Sequence, residues 1–214
     1  TYHAVHGSRV DAYVVRNVGF LKNGLGQFLT IGSGDDGALS IDGARIIRTD
    51  FGCSNGIVHF IDTVLDPVEP DLFERLESDG RFTVLTKLIK RSGLTKVFQN
   101  RHKSYTVFAP TDEAFTRLPE GTVESLLSPE KLDLLSDVIR SHILSDIRTV
   151  AKTRDLQPLG TAGFDARNQY GQELIYRRGE SGPTIDGRVI SSADQVARNG
   201  IIHVIDAPLL PKRT

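Results

Sequence analysis

Four of the six histidines, His3, His59, His142 and His203, stand where imidazole chemistry would be sought first. Imidazole is the side chain that titrates nearest neutrality and the commonest metal ligand. Either task needs partners. The sequence offers no H-E-x-x-H spacing and no cluster of His and Cys, and Cys53, the single cysteine, excludes the multi-cysteine zinc sets. His59 and His203 lie inside the apolar runs Ile57-Val58-His59-Phe60-Ile61-Asp62 and Ile201-Ile202-His203-Val204-Ile205-Asp206. A buried histidine there is expected to be hydrogen-bonded and to hold neighbouring segments in register, and the same role is expected of His3 and His142. Asp62 and Asp206 close the two runs and are expected to bond to a turn. Cys53 has no designated base and reads as a small, partly buried residue.

Gly32-Ser33-Gly34-Asp35-Asp36-Gly37 satisfies G-x-G-x-x-G. That fingerprint binds a pyrophosphate only between a strand and a helix. Here Ala38-Leu39-Ser40-Ile41-Asp42-Gly43 follows, so a hairpin loop is expected and no dinucleotide cofactor. Neither G-x-S-x-G nor a P-loop occurs. No recognised catalytic, metal or cofactor motif is therefore read here, so no cofactor or metal is expected, and an enzyme of unrecognised type stays as the minor alternative. One stretch is chemically distinctive: residues 81–111 contain no Asp or Glu, but carry Arg81, Lys87, Lys90, Arg91, Lys96, Arg101 and Lys103. A solvated helical face is the default for such a run. Its functional counterpart is a local site for an acidic glycan, centred on Lys87, Lys90 and Arg91. Nucleic acid is not expected, because Phe98 and Tyr105 alone do not make a stacking platform.

The whole chain is otherwise balanced. Its 214 residues are 39% hydrophobic and 25% charged, with a net charge of −1. It can bury a core, and no global field draws it to polyanions. No apolar run approaches the roughly 18 residues that suggest a membrane span, so no membrane insertion is expected. The sequence starts without Met and contains none, and reads as a fragment or a mature product.

The elements that would position these residues are repeated. Residues 41–65 align without a gap on 185–209, and roughly half the positions are identical. Shared are Ile41/Ile185, Asp42/Asp186, Gly43/Gly187, Asp50/Asp194, Asn55/Asn199, Gly56/Gly200, His59/His203, Asp62/Asp206 and Leu65/Leu209, among others. Asp-Gly and Asn-Gly between β-prone runs are turn signals. The nearly continuous apolar character of 57–62 and 201–206 predicts central strands buried on much of both faces. Asp71 is placed to cap a helix carrying Leu72, Phe73 and Leu76. A second helix carries Phe82, Leu85, Leu88 and Ile89 and stops at Ser92-Gly93. A strand is expected over 105–109 and a helix over 113–118. Ser128-Pro129 is read as N-cap and N1 of a helix bearing Leu132, Leu135, Val138 and Ile139. Strands follow at 174–178, 188–192 and 201–206. Helices first and strands second argue an α+β fold, with helices at one side of a mixed sheet.

Tyr105-Thr106-Val107-Phe108-Ala109-Pro110-Thr111-Asp112-Glu113-Ala114-Phe115 resembles the first conserved box of the fasciclin (FAS1) domain. Residues 199–206, running on to Leu210-Pro211, resemble the second. The family's Tyr-His motif reads Ser141-His142 in this copy and Tyr2-His3 in the other. The resemblance implies a fasciclin-like wedge of mixed sheet with helices packed at one side, complete over 68–212. Over 1–67 it implies only the C-terminal half of a first domain, whose first box would precede residue 1. An uncovered sheet would expose an apolar face, so a cleaved partner fragment, a neighbouring chain or a trimmed sequence is expected to account for the other half. The family further implies a secreted or cell-surface adhesion or interaction module, non-catalytic, and the expected partners are extracellular proteins, acidic glycans (from the basic run) or another fasciclin domain. In some animal members an Asp-Ile pair just before the second box contributes to integrin recognition. The matching positions are Asp194-Gln195 and Asp50-Phe51, so the apolar partner is replaced by Gln in the complete copy. A small-ligand or lipid carrier is the alternative, and would require a large apolar cavity.

Overall fold

A computed structural model describes residues 2–34, 36–150, 165–179 and 182–211. Asp35 of the glycine-rich run, and residues 151–164, 180–181 and 212 of the expected second domain, lie outside these. The chain divides into two compact units, with the boundary after Glu69.

Unit 1 opens with helix α1 (Ala12–Asn17), whose N-cap Asp11 accepts from Val14 N at 2.9 Å. Five strands follow: β1 (Phe20–Lys22), β2 (Phe28–Ser33), β3 (Leu39–Ile41), β4 (Ala44–Cys53) and β5 (Gly56–Ile61). They form one sheet in sequence order, with β4 and β5 antiparallel. Asp42 and Gly43, at φ 45° and 83°, make the tight β3–β4 turn, for which two successive positive φ values are the required geometry. The glycine-rich run links antiparallel β2 to β3, so no helix N-terminus stands where a pyrophosphate would need one.

Unit 2 begins with helices α2 (Leu72–Ser78), α3 (Thr83–Arg91) and α4 (Thr95–Phe98). Asp71 caps α2 in a full capping box: it accepts from Glu74 N, and Glu74 accepts from Asp71 N, both at 2.9 Å. Strand β6 (Tyr105–Pro110) leads into α5 (Asp112–Thr116), α6 (Thr122–Leu126) and α7 (Leu132–Ser141). Then come β7 (Ile143–Leu144), β8 (Asp165–Arg167), β9 (Glu173–Gly179), β10 (Gly182–Ile185), β11 (Arg188–Ala197) and β12 (Gly200–Ile205). The sheet order is β7-β6-β12-β11-β10-β9-β8, and β6 runs parallel to β12. A bridge from Leu144 to Asn168 brings the far edge round toward β7, so the sheet curls almost into a barrel. One core lies between the helices and the sheet, including Leu72, Leu85, Ile139, Val107, Ile202 and Val204. A second fills the curl, with Phe108, Leu174, Tyr176 and Ile205. This is the expected α+β arrangement.

Several expectations are corrected. The helix placed at 113–118 is α5, which starts earlier because the Thr111 hydroxyl caps it, and ends at Thr116. Ser128 does not cap: its hydroxyl donates to Ser125 O, and Pro129–Lys131 forms a 3-10 turn before α7. The strand expected to end at 192 continues to Ala197 through a bulge. Cys53 is exposed, because it sits at the β4–β5 hairpin tip. The symmetric burial expected for the repeated strands holds for β12, which is buried throughout, and fails for β5. β12 lies between β6 and β11; β5 is an edge.

Candidate functional site

The histidines hold backbone segments together, and each bond fixes a tautomer. His203 accepts from Asp194 N through Nδ1 at 3.1 Å and donates through Nε2 to Arg148 O at 2.7 Å. The Asp194 carboxylate in turn accepts from Val150 N at 2.9 Å. Asp194 has φ 57°, the conformation that aims its carboxylate at this strap of chain. The same device recurs in unit 1: Asp50, at φ 61°, accepts from Ala12 N at 2.8 Å, and His59 donates to Val10 O at 2.8 Å. A second pair joins the motif histidines to the chain after the last strand. His142 donates through Nδ1 to Val138 O and accepts from Leu209 N at 2.9 Å, and His3 accepts from Leu65 N at 3.0 Å. Burial pushes His142 down to about 4 and lowers His203 as well. Asp62 and Asp206 accept from Arg45 N and Val189 N, just beyond each Asp-Gly turn.

These residues are engaged in holding the fold. Gln195, beside Asp194, donates to the Ser192 hydroxyl at 3.0 Å. No group of three His, Cys, Asp or Glu among the described residues could hold a metal ion.

The basic residues occupy a different surface. In α3, Leu85, Leu88 and Ile89 are buried, while Lys87, Lys90 and Arg91 point outward, as the 3.6-residue period requires. Lys90 pairs with Glu77 at 2.6 Å and lies over the Phe73 ring. Arg91 donates through Nε to Leu127 O at 3.1 Å. Lys96, Arg101, His102 and Lys103 are exposed on α4 and the following turn. The arrangement is an exposed basic surface on which one ammonium, that of Lys90, is already paired with Glu77.

Unit 1 carries a third feature. Phe51, Val58 and Phe60 are exposed, with the Phe51 and Phe60 rings edge to face at 6.0 Å. The Arg48 guanidinium lies over both rings. Behind this face is a cleft of about 1030 Å³, lined by Val5, Leu29, Ile46, Ile57, His59 and Leu65 among others. Sequence reading singled out Phe51 but missed Arg48, Val58 and Phe60. The available signal was that the apolar stretch at 105–110 occurs once while its neighbouring strand occurs twice.

Comparison with known proteins places this geometry. The sequence profile described as Fasciclin domain matches residues 1–67 and 80–211. The transforming growth factor-beta-induced protein ig-h3 of Sus scrofa is 29% identical over 177 residues, covering 82% of this chain and 24% of that protein. Human periostin is 27% identical over 192 residues, covering 89% of this chain and 22% of periostin. Protein sll1483 of Synechocystis sp. is 34% identical over 130 residues, 61% of this chain and 67% of that protein. The chain thus spans about a quarter of the length of the two animal relatives. A solved FAS1 domain pair from the insect cell adhesion molecule Fasciclin I superposes with a TM-score of 0.59 at 22% identity, covering 96% of this chain and 77% of that one.

Proposed function

The chain belongs to the fasciclin family, and from that premise we propose that it is a non-catalytic adhesion or interaction module of the cell surface or extracellular space. In this reading residues 68–212 form a complete fasciclin-like domain and residues 1–67 the C-terminal half of another. The carrying observation is a division of labour among its polar residues. The histidines and aspartates that might do chemistry are bonded to backbone, while the basic residues Lys87, Lys90 and Arg91 lie on the exposed face of α3, Lys90 paired there with Glu77. A rigid scaffold displaying charge is suited to binding, and the partner class it favours is an acidic glycan or an acidic protein surface. No helix among the described residues is long and apolar enough to cross a membrane. The adhesive role of the insect molecule with the similar fold supports the same reading.

Retention on a heparin column tests it. The unmodified chain is expected to elute at higher salt than a variant carrying Lys87→Glu, Lys90→Glu and Arg91→Glu, since exposed charge pairs are screened by salt. Identical elution would remove acidic glycans from the proposal. The cleft of unit 1 favours a second reading, a carrier for a small apolar ligand. Saturable binding of dodecanoate, abolished by filling the cleft with Leu29→Trp, would be its signature.

A further inference from the structure

The acid-free run of unit 2 divides in two once its charges are paired. Around α3 the positive charge is largely engaged: Arg81 pairs with Asp79 at 2.7 Å, Lys90 with Glu77 at 2.6 Å, and Arg91 donates through Nε to Leu127 O at 3.1 Å. Past α3 this compensation stops. Lys96, Arg101, His102 and Lys103 are exposed, and none of them forms an ion pair among the described residues. Three full positive charges, with His102 among them, thus stand within eight residues of chain.

One buried residue brackets this turn. Asn199, 3% exposed, lies between β11 and β12 and donates through Nδ2 to Phe98 O at 2.8 Å and to Asn100 O at 3.0 Å. Its backbone carbonyl accepts from Tyr105 N at 3.1 Å. Its Oδ1 accepts from Leu72 N at 2.9 Å, so the amide is itself held in place. Inside the bracket, Asn100 Oδ1 accepts from His102 N at 2.9 Å. Arg101, His102 and Lys103 therefore sit on a short loop with both ends tied to one residue of the core, and a loop already ordered loses little freedom when it binds. What the surface lacks selects the partner. Among the described residues from 70 to 150 no large hydrophobic side chain is exposed. A protein interface is anchored by aromatic or aliphatic groups at its centre, and a membrane-lying surface inserts them. Single-stranded nucleic acid stacks on aromatic rings, but Phe98 and Tyr105 are buried. The ligand that such a surface suits is one held by charge alone, a hydrophilic chain bearing closely spaced anionic groups.

We propose that the turn from Lys96 to Lys103 is the principal contact of this chain for a linear sulfated polysaccharide, and that Asn199 is the residue that positions it. This rests on the acidic-glycan reading above but moves the contact from α3 to the turn, with α3 adding only longer-range attraction.

Calorimetric titration of heparin into the full 214-residue chain tests it. A turn variant carrying Lys96→Glu, Arg101→Glu and Lys103→Glu is set against the α3 variant carrying Lys87→Glu, Lys90→Glu and Arg91→Glu. The two change the net charge equally, so a difference between them reports position. The turn variant is expected to weaken binding about tenfold or more, and the α3 variant about threefold or less. Asn199→Ala keeps every charge; it is expected to weaken binding about threefold or more, yet to add nothing in the turn variant, a coupling that a general loss of structure would not produce. Should urea unfolding show that Asn199→Ala does not fold, Asn100→Ala, which removes the bond to His102 N, takes its place in the same cycle. Weakening by the α3 variant equal to or greater than that by the turn variant would overturn this inference and leave the acidic-glycan reading standing. No weakening by either variant would overturn both. Additive losses from Asn199→Ala and the turn variant would overturn the positioning role. Poly-glutamate, phosphatidylserine vesicles or duplex DNA competing as well as heparin at equal charge would overturn the polysaccharide as partner.

Discussion

His142 is 2% exposed, and its two ring nitrogens make bonds of opposite sense, donating to Val138 O and accepting from Leu209 N. Only the neutral ring can do both. Burial, with a smaller push from Arg188, lowers it from 6.5 to about 4. Between those values the unfolded chain binds a proton that the folded chain refuses, so unfolding is favoured as pH falls. The stabilisation is fully present above pH 6.5 and is lost progressively down to about pH 4. At about 1.4 kcal/mol per unit it amounts to about 3 kcal/mol. His203, lowered by burial too, acts in the same direction, while Asp194 opposes its shift. Urea unfolding of unit 2, followed by hydrogen exchange, should therefore show a midpoint falling steeply from pH 7 to 4.5. His142→Gln, whose amide can donate and accept in the same places, should be weaker at pH 7 and flatter in pH. An unchanged slope in that variant would assign the pH dependence elsewhere.

Among the elements, the caps and the close approaches carry testable energies. Asp71→Ala removes the capping box of α2 and is expected to cost about 1 kcal/mol of unit 2 stability. Gly200→Ala is expected to cost far more, about 3 kcal/mol, because its Cβ would meet backbone that cannot swing aside. Gly56→Ala should fall within about 0.5 kcal/mol. Urea midpoints of the variants check all three, and equal costs at the two glycines would contradict the close parallel pairing of β6 with β12 and its absence at β5.

What the sequence made legible follows the same division. Asp71, the Asp42-Gly43 turn and the apolar face of α3 are local, and their side chains decide the backbone around them. Ser128 misleads because its hydroxyl turns back to donate to Ser125 O and accepts no backbone N–H of the following turn, an alternative that no pattern reveals. The inward commitment of Asp50 and Asp194 was hidden for another reason: their partners, Ala12 and Val150, lie far along the chain. The burial of β5 was misjudged because burial belongs to the neighbours of a strand as much as to its own residues. Identical patterning gives β12 a partner on both sides and β5 a partner on one.

At the scale of the whole molecule that asymmetry becomes a difference in stability between the units. Unit 2 closes a large core around Leu72, Leu88, Ile139 and Ile202, while unit 1 has two small clusters around Leu29 and Val15. Hydrophobic stabilisation scales with the apolar area removed from water, and unit 1 leaves Phe51, Val58 and Phe60 in it. The chain is therefore expected to unfold in more than one step, since two-state behaviour belongs to single cooperative cores. Amides of β4 and β5 should lose exchange protection at lower urea than those of β11 and β12. Paired truncations sharpen the test, because the repeat supplies matched positions. Ile202→Ala empties a filled site and should cost about 2–5 kcal/mol, lowering the midpoint of unit 2. Val58→Ala, on the exposed counterpart, should cost under about 1 kcal/mol.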